Sequence, residues 1–468
     1  MDTIGMPPPY HDDSCDCNRP AHIKYELQAG ICIPFNALTA CLVKYAWGKN
    51  HRQPSPRFLD IGSGLGFSLC FARILGFAVK GIEPSQVGPI AESLFQVESA
   101  NGFFEELNLT GESFDVIHSS EVIEHVADPV QFICSIAKAL KNDGILILTT
   151  PNSEAAIQGE KFEREWLEVY SPGYHLNIFS AKSIGHLLKR HGVRDVHILK
   201  SEGSSGKKRL LVVAAKKKGV MGPWPSMDVL KKESRLLTTS FLENIIRQER
   251  PEHYHQWLYE GALFRLFEEY TNAGLYQQAD RMRDRLDQFL ESNGYKVEDL
   301  KSLDCDDLES CLRQAPAFTS MYIYLKGMLD LNDKQDYQGA LEKFKLAEYL
   351  YLAEMKLPHY NATRQTWFER ARYHQGLALL YSGRQDEALL IFKDFLKSSV
   401  KKISRKLTNS ILWNTGIALL QKGEDLQAIS AFTKLLLRES WRSRNSKKTI
   451  RHIGKALRQW QSKLITKR

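Results

Sequence analysis

The 468-residue sequence lacks long apolar runs. No uncharged stretch reaches the about 18 residues that a membrane-spanning helix needs. The N-terminus also lacks an apolar core behind a basic start, so we expect no secretory signal. Charged residues make up 25% and hydrophobic residues 43% of the chain, a balance typical of a globular protein. We therefore expect a cytoplasmic protein of two or three domains.

Paired metal-ligand motifs are also scarce. Near the N-terminus, possible ligands are His11, Asp12, Asp13, Cys15 and Cys17. No second ligand pair follows at the spacing of a structural zinc site, so we expect no metal there and interpret residues 1–20 as a flexible arm. Most of the eight cysteines lie in apolar runs, which indicates reduced thiols and a reducing compartment.

The most informative stretch is 57–85, RFLDIGSGLGFSLCFARILGFAVKGIEPS. It predicts a strand, a turn with glycine at every second position, a helix and a second strand that ends at Glu83. Glycines allow a tight turn and let a ligand approach the bare backbone. The helix N-terminus offers N–H groups to an electron-rich ligand, and an acid at the tip of the second strand suits ribose hydroxyls.

The glycine spacing excludes a dinucleotide site. A G-x-G-x-x-G pattern would need glycine where Phe67 stands. Asp60, at the end of the first strand, also suits a positively charged, adenosine-bearing ligand better than a pyrophosphate. The whole pattern resembles the S-adenosylmethionine site of class I methyltransferases. The resemblance implies an α/β, Rossmann-like domain of seven strands over residues 21–218. It places cofactor contacts at Asp60, Gly62, Gly64, Gly66 and Glu83, with Glu83 on the ribose hydroxyls.

A second stretch, 114–152, supports this interpretation. Its tract EVIEHVADP resembles one shared by ubiquinone-biosynthesis-type and sugar-modifying methyltransferases. Ser119 precedes this tract at the carboxyl end of the fourth strand, on the ligand edge of an open α/β sheet. A short third strand is expected around Phe103, where the family presents a residue to the adenine ring. Phe103 would stack on the adenine, donate its backbone N–H or simply pack in the core.

Two histidines are candidates for a general base. A hydroxyl that attacks the sulfonium methyl group must lose its proton, and histidine titrates near neutral pH. His125 lies in the EVIEHVADP tract, and its alternative role is to orient this loop with Glu124. His175 lies in YHLNIF, 174–179, which resembles the substrate-facing loop before the last helix of sugar-type methyltransferases. Its alternative is a structural loop histidine.

The second half of the chain changes character after a linker at 219–228. Residues 229–439 predict an all-α domain, and the segment 373–397 matches 413–437 at a shift of 40 residues. The spacing of glycine, alanine and aromatic residues resembles tetratricopeptide (TPR) repeats. Such repeats bind a protein or peptide, associate with themselves or only add stability. Residues 440–468 contain ten lysines or arginines and no acid, which predicts a basic amphipathic helix. This helix caps the repeats or contacts an anionic surface, either membrane or nucleic acid.

Together these features predict an S-adenosylmethionine-dependent methyltransferase. Its acceptor would be a hydroxyl on a sugar, glycan or other metabolite, with a histidine as base. Two alternatives remain open at this point. The repeats would recruit a protein that is itself methylated, or the chain would be a non-catalytic, cofactor-binding scaffold.

Overall fold

In the computed structural model of the protein, the described residues are 19–30, 32–47, 55–107, 113–154, 174–199, 209–222, 225–248, 253–296, 299–357, 361–397, 404–438 and 444–466. The predicted N-terminal arm lies outside them up to residue 18, together with the cluster from His11 to Cys17. The chain divides into two compact units, Met1–Ala262 and Leu263–Arg468.

The first unit contains one sheet of seven strands in the order β3-β2-β1-β4-β5-β7-β6. Adjacent strands among β1 to β5 run parallel, whereas β7 runs antiparallel to both β5 and β6. The strands are β1 Arg57–Ile61, β2 Ala78–Glu83, β3 Glu98–Asn101, β4 Phe114–Ser120, β5 Leu140–Pro151, β6 Asp195–Leu199 and β7 Arg209–Ala215. The predicted seven-stranded α/β domain is confirmed.

Helices cover both faces of this sheet. They are α1 Pro20–Ala29, α2 Cys32–Trp47, α3 Phe67–Ile74, α4 Val87–Phe95, α5 Pro129–Ala139 and α6 Ala181–Arg190. Phe132 of α5 and Ile184 of α6 share a core with Ile117 and Leu146 of the central strands. On the opposite face, the ring of Phe77 contacts Trp47 and Phe58. Because both faces are covered, the central part of β5, residues 145–148, is a continuous and fully buried apolar run.

The third strand begins earlier than the sequence suggested. It covers Glu98–Asn101, and Gly102, with φ +135°, ends it before Phe103. A strand around Phe103 is therefore wrong. The Phe103–Phe104 pair follows in a turn, where Phe104 is buried and packs against Phe132 at 5.9 Å between ring centroids.

The first helix of the predicted all-α domain packs on the first unit, although its sequence placed it with the repeats. This helix, α7 Met227–Ile245, contacts α2 extensively. Its Phe241 ring lies 4.9 Å from that of Phe71 and 6.1 Å from that of Phe95. Burial of the apolar face of α7 against α2 and α3 explains why the first unit extends beyond the sheet.

The described part of the second unit is helical. Helix α8 His253–Asn272 spans the unit boundary, and the helices that follow are α9 Tyr276–Ser292, α10 Leu308–Gln314, α11 Thr319–Leu329, α12 Tyr337–Glu354, α13 Asn361–Tyr381, α14 Gln385–Lys397, α15 Arg405–Gln421, α16 Asp425–Arg438 and α17 Arg444–Thr466. Three successive helix pairs repeat one contact, in which a glycine of the first helix faces a phenylalanine of the second. These contacts are Gly327 with Phe344, Gly376 with Phe392 and Gly416 with Phe432. The helical character of this half is confirmed, while its assignment to TPR repeats stays a prediction.

Within the described residues, no single helix has the length and hydropathy to span a membrane, although the bent pair α1 and α2 meets that test when taken together.

Candidate functional site

The candidate site lies where the strand order of the sheet reverses. From β1 the chain proceeds outward through β2 and β3, and then returns to β4 on the other side of β1. In open α/β sheets, ligands bind at such a point, beyond the carboxyl ends of the strands. Two cavities of about 560 and 390 Å³ open here, both within the range of small-ligand sites. They meet at Gly62, Ser120 and Glu121.

The glycine turn adopts backbone conformations that favour glycine. Gly62, Gly64 and Gly66 have φ values of +74°, +50° and +77°. A Cβ on Gly62 would clash with Val122, so this glycine is needed for packing. In contrast, apart from its chain neighbours, no described residue has an atom within 4 Å of the position that a Cβ on Gly64 would take. Gly64 lines the smaller cavity, so its bare backbone leaves room for a ligand.

Glu83 ties the end of β2 to the glycine turn. Its Oε2 accepts a hydrogen bond from the Gly64 N–H at 2.7 Å, and its Oε1 accepts one from the Ser85 N–H at 3.0 Å. The side chain is buried, yet it lines the larger cavity. Each carboxylate oxygen has a second lone pair, so Glu83 can still accept hydrogen bonds from a ligand's hydroxyls.

Asp60 is held by two side chains at the end of β1. Its Oδ1 lies 2.6 Å from Nδ1 of His118, and its Oδ2 accepts a hydrogen bond from the Ser68 hydroxyl. His118 lies opposite Asp60 in the register of β1 and β4, and Phe58 stacks on its ring at 6.0 Å. The Nε2 atom of His118 is buried and has no hydrogen-bond partner among the described residues. His118 lines the smaller cavity beside Asp60, and the sequence analysis missed it.

Of the two remaining cofactor candidates, Phe103 and Ser119, only one lines either of the two cavities. Phe103 lines the larger cavity, as Glu83 does. Ser119 is fully buried, and its side chain lines neither cavity. The next residue, Ser120, lines both, because successive side chains of a strand point to opposite faces.

The two candidate bases lie side by side. The ring centroids of His125 and His175 are 5.0 Å apart, with the planes at 70°. The loop that carries His175 is fixed to the EVIEHVADP tract, since the Leu176 and Asn177 N–H groups donate to the Glu124 carbonyl oxygen at 2.7 and 2.9 Å. This docking brings together two histidines that are 50 positions apart in the sequence.

His125 is arranged as a neutral imidazole. It lines the larger cavity, and its Nδ1 lies 2.9 Å from the Tyr174 carbonyl oxygen. A carbonyl only accepts, so Nδ1 carries the proton and Nε2 is the basic nitrogen. Burial lowers the pKa of His125, and the neighbouring His175 lowers it further. His125 is therefore available as a base at neutral pH.

Glu124 adds a buried acid beside this pair. Burial raises its pKa to about 8, and the charge of Glu121 contributes in the same direction. Its Oε2 accepts a hydrogen bond from the Thr150 hydroxyl at 3.0 Å, while Oε1 has no partner among the described residues. The donor atoms of Glu124, His125 and His175 all lie within 4.8 Å of one another, close enough to share a metal ion.

Helices α1 and α2 cover the smaller cavity. His22 and Glu26 come from α1, and Cys32 and Phe35 come from α2. Opposite them, Arg209 pairs with Glu121 at 3.0 Å and lies 5.3 Å from the centroid of the Phe35 ring. Both helices that precede the first strand thus contribute side chains to the wall of the smaller cavity.

Comparisons with known proteins relate the first unit to methyltransferases. A methyltransferase domain family matches residues 37–198. The ubiquinone biosynthesis O-methyltransferase of Bartonella quintana is 32% identical over 161 residues, covering 32% of this chain and 61% of that protein. The protein of the same name from Parvibaculum lavamentivorans is 37% identical over 123 residues, covering 24% of this chain and 48% of that protein. The chain thus spans about half to three fifths of these curated relatives.

A solved structure is also similar. The possible histamine N-methyltransferase of Thermotoga maritima is 19% identical, with a TM-score of 0.30, and the match covers 42% of this chain and 100% of that one. The family match supports the predicted methyltransferase domain over residues 37–198, and a domain of this kind implies S-adenosylmethionine as the cofactor.

Proposed function

We propose that this chain transfers a methyl group from S-adenosylmethionine to a hydroxyl of a small-molecule acceptor. The observation that carries the proposal is the bond between the Glu83 carboxylate and the Gly64 N–H at 2.7 Å, beside open space at Gly64. This hydrogen bond links two predicted parts of the cofactor site. The glycine turn is expected to lie beneath the methionine part of the cofactor, and Glu83 is expected to bind its ribose.

The residues that would hold the cofactor follow from this arrangement. Glu83 would accept hydrogen bonds from the ribose hydroxyls, and Phe103 would contact the adenine. Gly62, Gly64 and Gly66 would shape the turn beneath the cofactor, with Asp60 facing its charged methionine end. Since Ser119 lines neither cavity, we assign the contact at the end of β4 to Ser120 instead.

His125 would act as the general base. S-adenosylmethionine supplies an activated methyl group, so the acceptor oxygen forms the new O–C bond while the C–S bond breaks. The hydroxyl proton then moves to Nε2 of His125, because the Tyr174 carbonyl fixes the other nitrogen as the protonated one. His175 packs against the His125 ring and would position it or contact the acceptor. Holding the reactants in line supplies roughly 7–11 kcal/mol of the barrier reduction.

The acceptor class rests on the curated relatives, which are named O-methyltransferases. Within that class, a sugar, a glycan and a phenolic metabolite are all hydroxyl acceptors, and we propose a small molecule of this kind. A partner-binding role for the helical second unit stays a prediction.

Two measurements on the full chain test this function. Calorimetric titration with S-adenosylhomocysteine should show one site per chain, and Glu83→Gln should weaken it, since an amide replaces one of the two acceptor oxygens. Transfer of labelled methyl groups to a panel of sugar and phenolic acceptors should then fall in His125→Gln by about 10²–10⁴-fold, with unchanged cofactor affinity. Tight cofactor binding without transfer to any hydroxyl acceptor would contradict the proposed reaction, whereas no binding would contradict the site.

A further inference from the structure

The C-terminal helix α17 buries one face against the second unit. Thr449 and Ala456, seven residues apart, are almost fully buried. Between them, the His452 ring lies 4.7 Å from that of Trp413 and 5.7 Å from that of Phe432. The helix thus closes the apolar end of the last helix pair, as the sequence predicted for a cap.

The opposite face of α17 is exposed and cationic. The helix contains no acidic residue, and its exposed basic side chains include Lys447, Arg451, Lys455 and Arg458. At 3.6 residues per turn, these four positions fall within one arc of about 80°. Within the described residues, no carboxylate lies within salt-bridge distance of any of them.

Among the described residues, other unpaired cations of the second unit are scattered, whereas these four share one helical face. Several cations elsewhere in the unit pair with acids, as Lys326 does with Asp287 at 2.8 Å and Lys422 with Asp386 at 2.6 Å. Uncompensated charges of one sign on a single helical face repel one another, and they attract a surface of opposite sign. Charge complementarity therefore indicates an anionic partner.

Two exposed apolar side chains border the cationic arc. Ile450 is 46% exposed and Leu457 is 40% exposed. They are seven residues apart, so they lie two turns apart along the same edge of the helix. No aromatic residue of the described helix is exposed, since Trp460 is partly buried. Proteins that bind single-stranded nucleic acid generally use exposed aromatic side chains on which the bases stack, whereas interfacial helices combine lysine and arginine with apolar side chains that enter the headgroup boundary.

We propose that the exposed face of α17 is a binding surface for anionic lipid headgroups. The basic arc (Lys447, Arg451, Lys455 and Arg458) contacts the phosphates, and Ile450 and Leu457 enter the boundary between headgroups and acyl chains. The helix remains packed on the second unit through its buried face. This surface is independent of methyl transfer, and it places the full chain at an anionic membrane surface.

The test is flotation of the full chain with vesicles at physiological salt. Vesicles of phosphatidylcholine with phosphatidylglycerol should bind the protein, and vesicles of phosphatidylcholine alone should not. Each basic residue near a membrane contributes about a fivefold gain in binding, so Lys455→Gln/Arg458→Gln should weaken binding about 25-fold. The matched control Lys182→Gln/Lys189→Gln removes two exposed charges from α6 and should leave binding unchanged.

A charge-neutral variant separates lipid from nucleic acid. Ile450→Ala/Leu457→Ala keeps every cation, and it should weaken vesicle binding about tenfold while the melting temperature and cofactor affinity stay constant. Three results would overturn the proposal. They are no binding to phosphatidylglycerol vesicles, vesicle binding unaffected by the Ile450/Leu457 variant, and stronger binding to a 20-mer RNA, single-stranded or duplex, than to the vesicles.

Discussion

Replacing Gly64 with alanine should weaken cofactor binding more than it destabilises the fold, so the two effects can be measured separately. Gly64 has φ +50°, and the space that a Cβ would enter is open. The substitution therefore adds mainly the strain of a left-handed residue, about 1–2 kcal/mol. Alanine also restricts the unfolded chain, which offsets about 0.4–1 kcal/mol. We expect the free energy of unfolding to fall by only about 1 kcal/mol.

The effect on the cofactor should be larger. The new methyl group projects from a residue that lines the smaller cavity, into space where the methionine part of S-adenosylmethionine is proposed to lie. The dissociation constant of S-adenosylhomocysteine should rise at least about tenfold, equivalent to about 1.4 kcal/mol. Calorimetric titration measures this change, and denaturant unfolding of the same preparation measures stability.

Gly76→Ala is the matched control. Gly76 has φ +91° and equally open surroundings, but it lies between α3 and β2 and lines neither cavity. It should lose a similar amount of stability and keep full cofactor affinity. If the two variants bound S-adenosylhomocysteine with equal affinity, the reasoning would be refuted. The methyl group at Gly64 would then have no effect on the ligand beyond the general strain that both variants share.

Three further predictions concern pH and packing. The lowered pKa of His125 should place the acid limb of the rate profile below the about 6.5 of an ordinary histidine; a limb at or above that value would exclude His125 as the base. Glu124, with its pKa raised to about 8, favours the folded state when protonated, so stability should fall as pH rises from about 4.5 through 8. Glu124→Gln should remove this fall, and a variant that retains the fall would assign it to another group. A Cβ on Gly416 would lie 2.6 Å from the Phe432 ring, so Gly416→Ala should cost about 1–3 kcal/mol of stability; unchanged denaturant unfolding would show that the helix pair tolerates the methyl group.

Local patterns in the sequence were sufficient for much of the fold. Residues 57–83 contain a whole strand–turn–helix–strand unit, whose glycines mark the turn and whose acid marks the second strand end. The repeated glycine and phenylalanine of the second half also correspond to a contact within each helix pair, since Gly376 faces Phe392 and Gly416 faces Phe432. In both cases, the residues that determine the structure are close in sequence.

Contacts between distant residues were harder to predict. His118 meets Asp60 across 58 positions because β1 and β4 are neighbours, and only the strand register places the two side chains together. A histidine inside the buried strand β4 was the available signal. The predicted Ser119 lines neither cavity, whereas Ser120 lines both, because a shift of one residue along a strand reverses the face. The packing of α7 on α2 depended on tertiary burial that helical periodicity alone does not specify.

The most direct test of the central claim is a crystal structure of the full chain with S-adenosylhomocysteine. The account predicts the ligand over the glycine turn, with both ribose hydroxyls within hydrogen-bond distance of the Glu83 carboxylate and the adenine beside Phe103. A ligand bound elsewhere, or a ribose that does not contact Glu83, would contradict it.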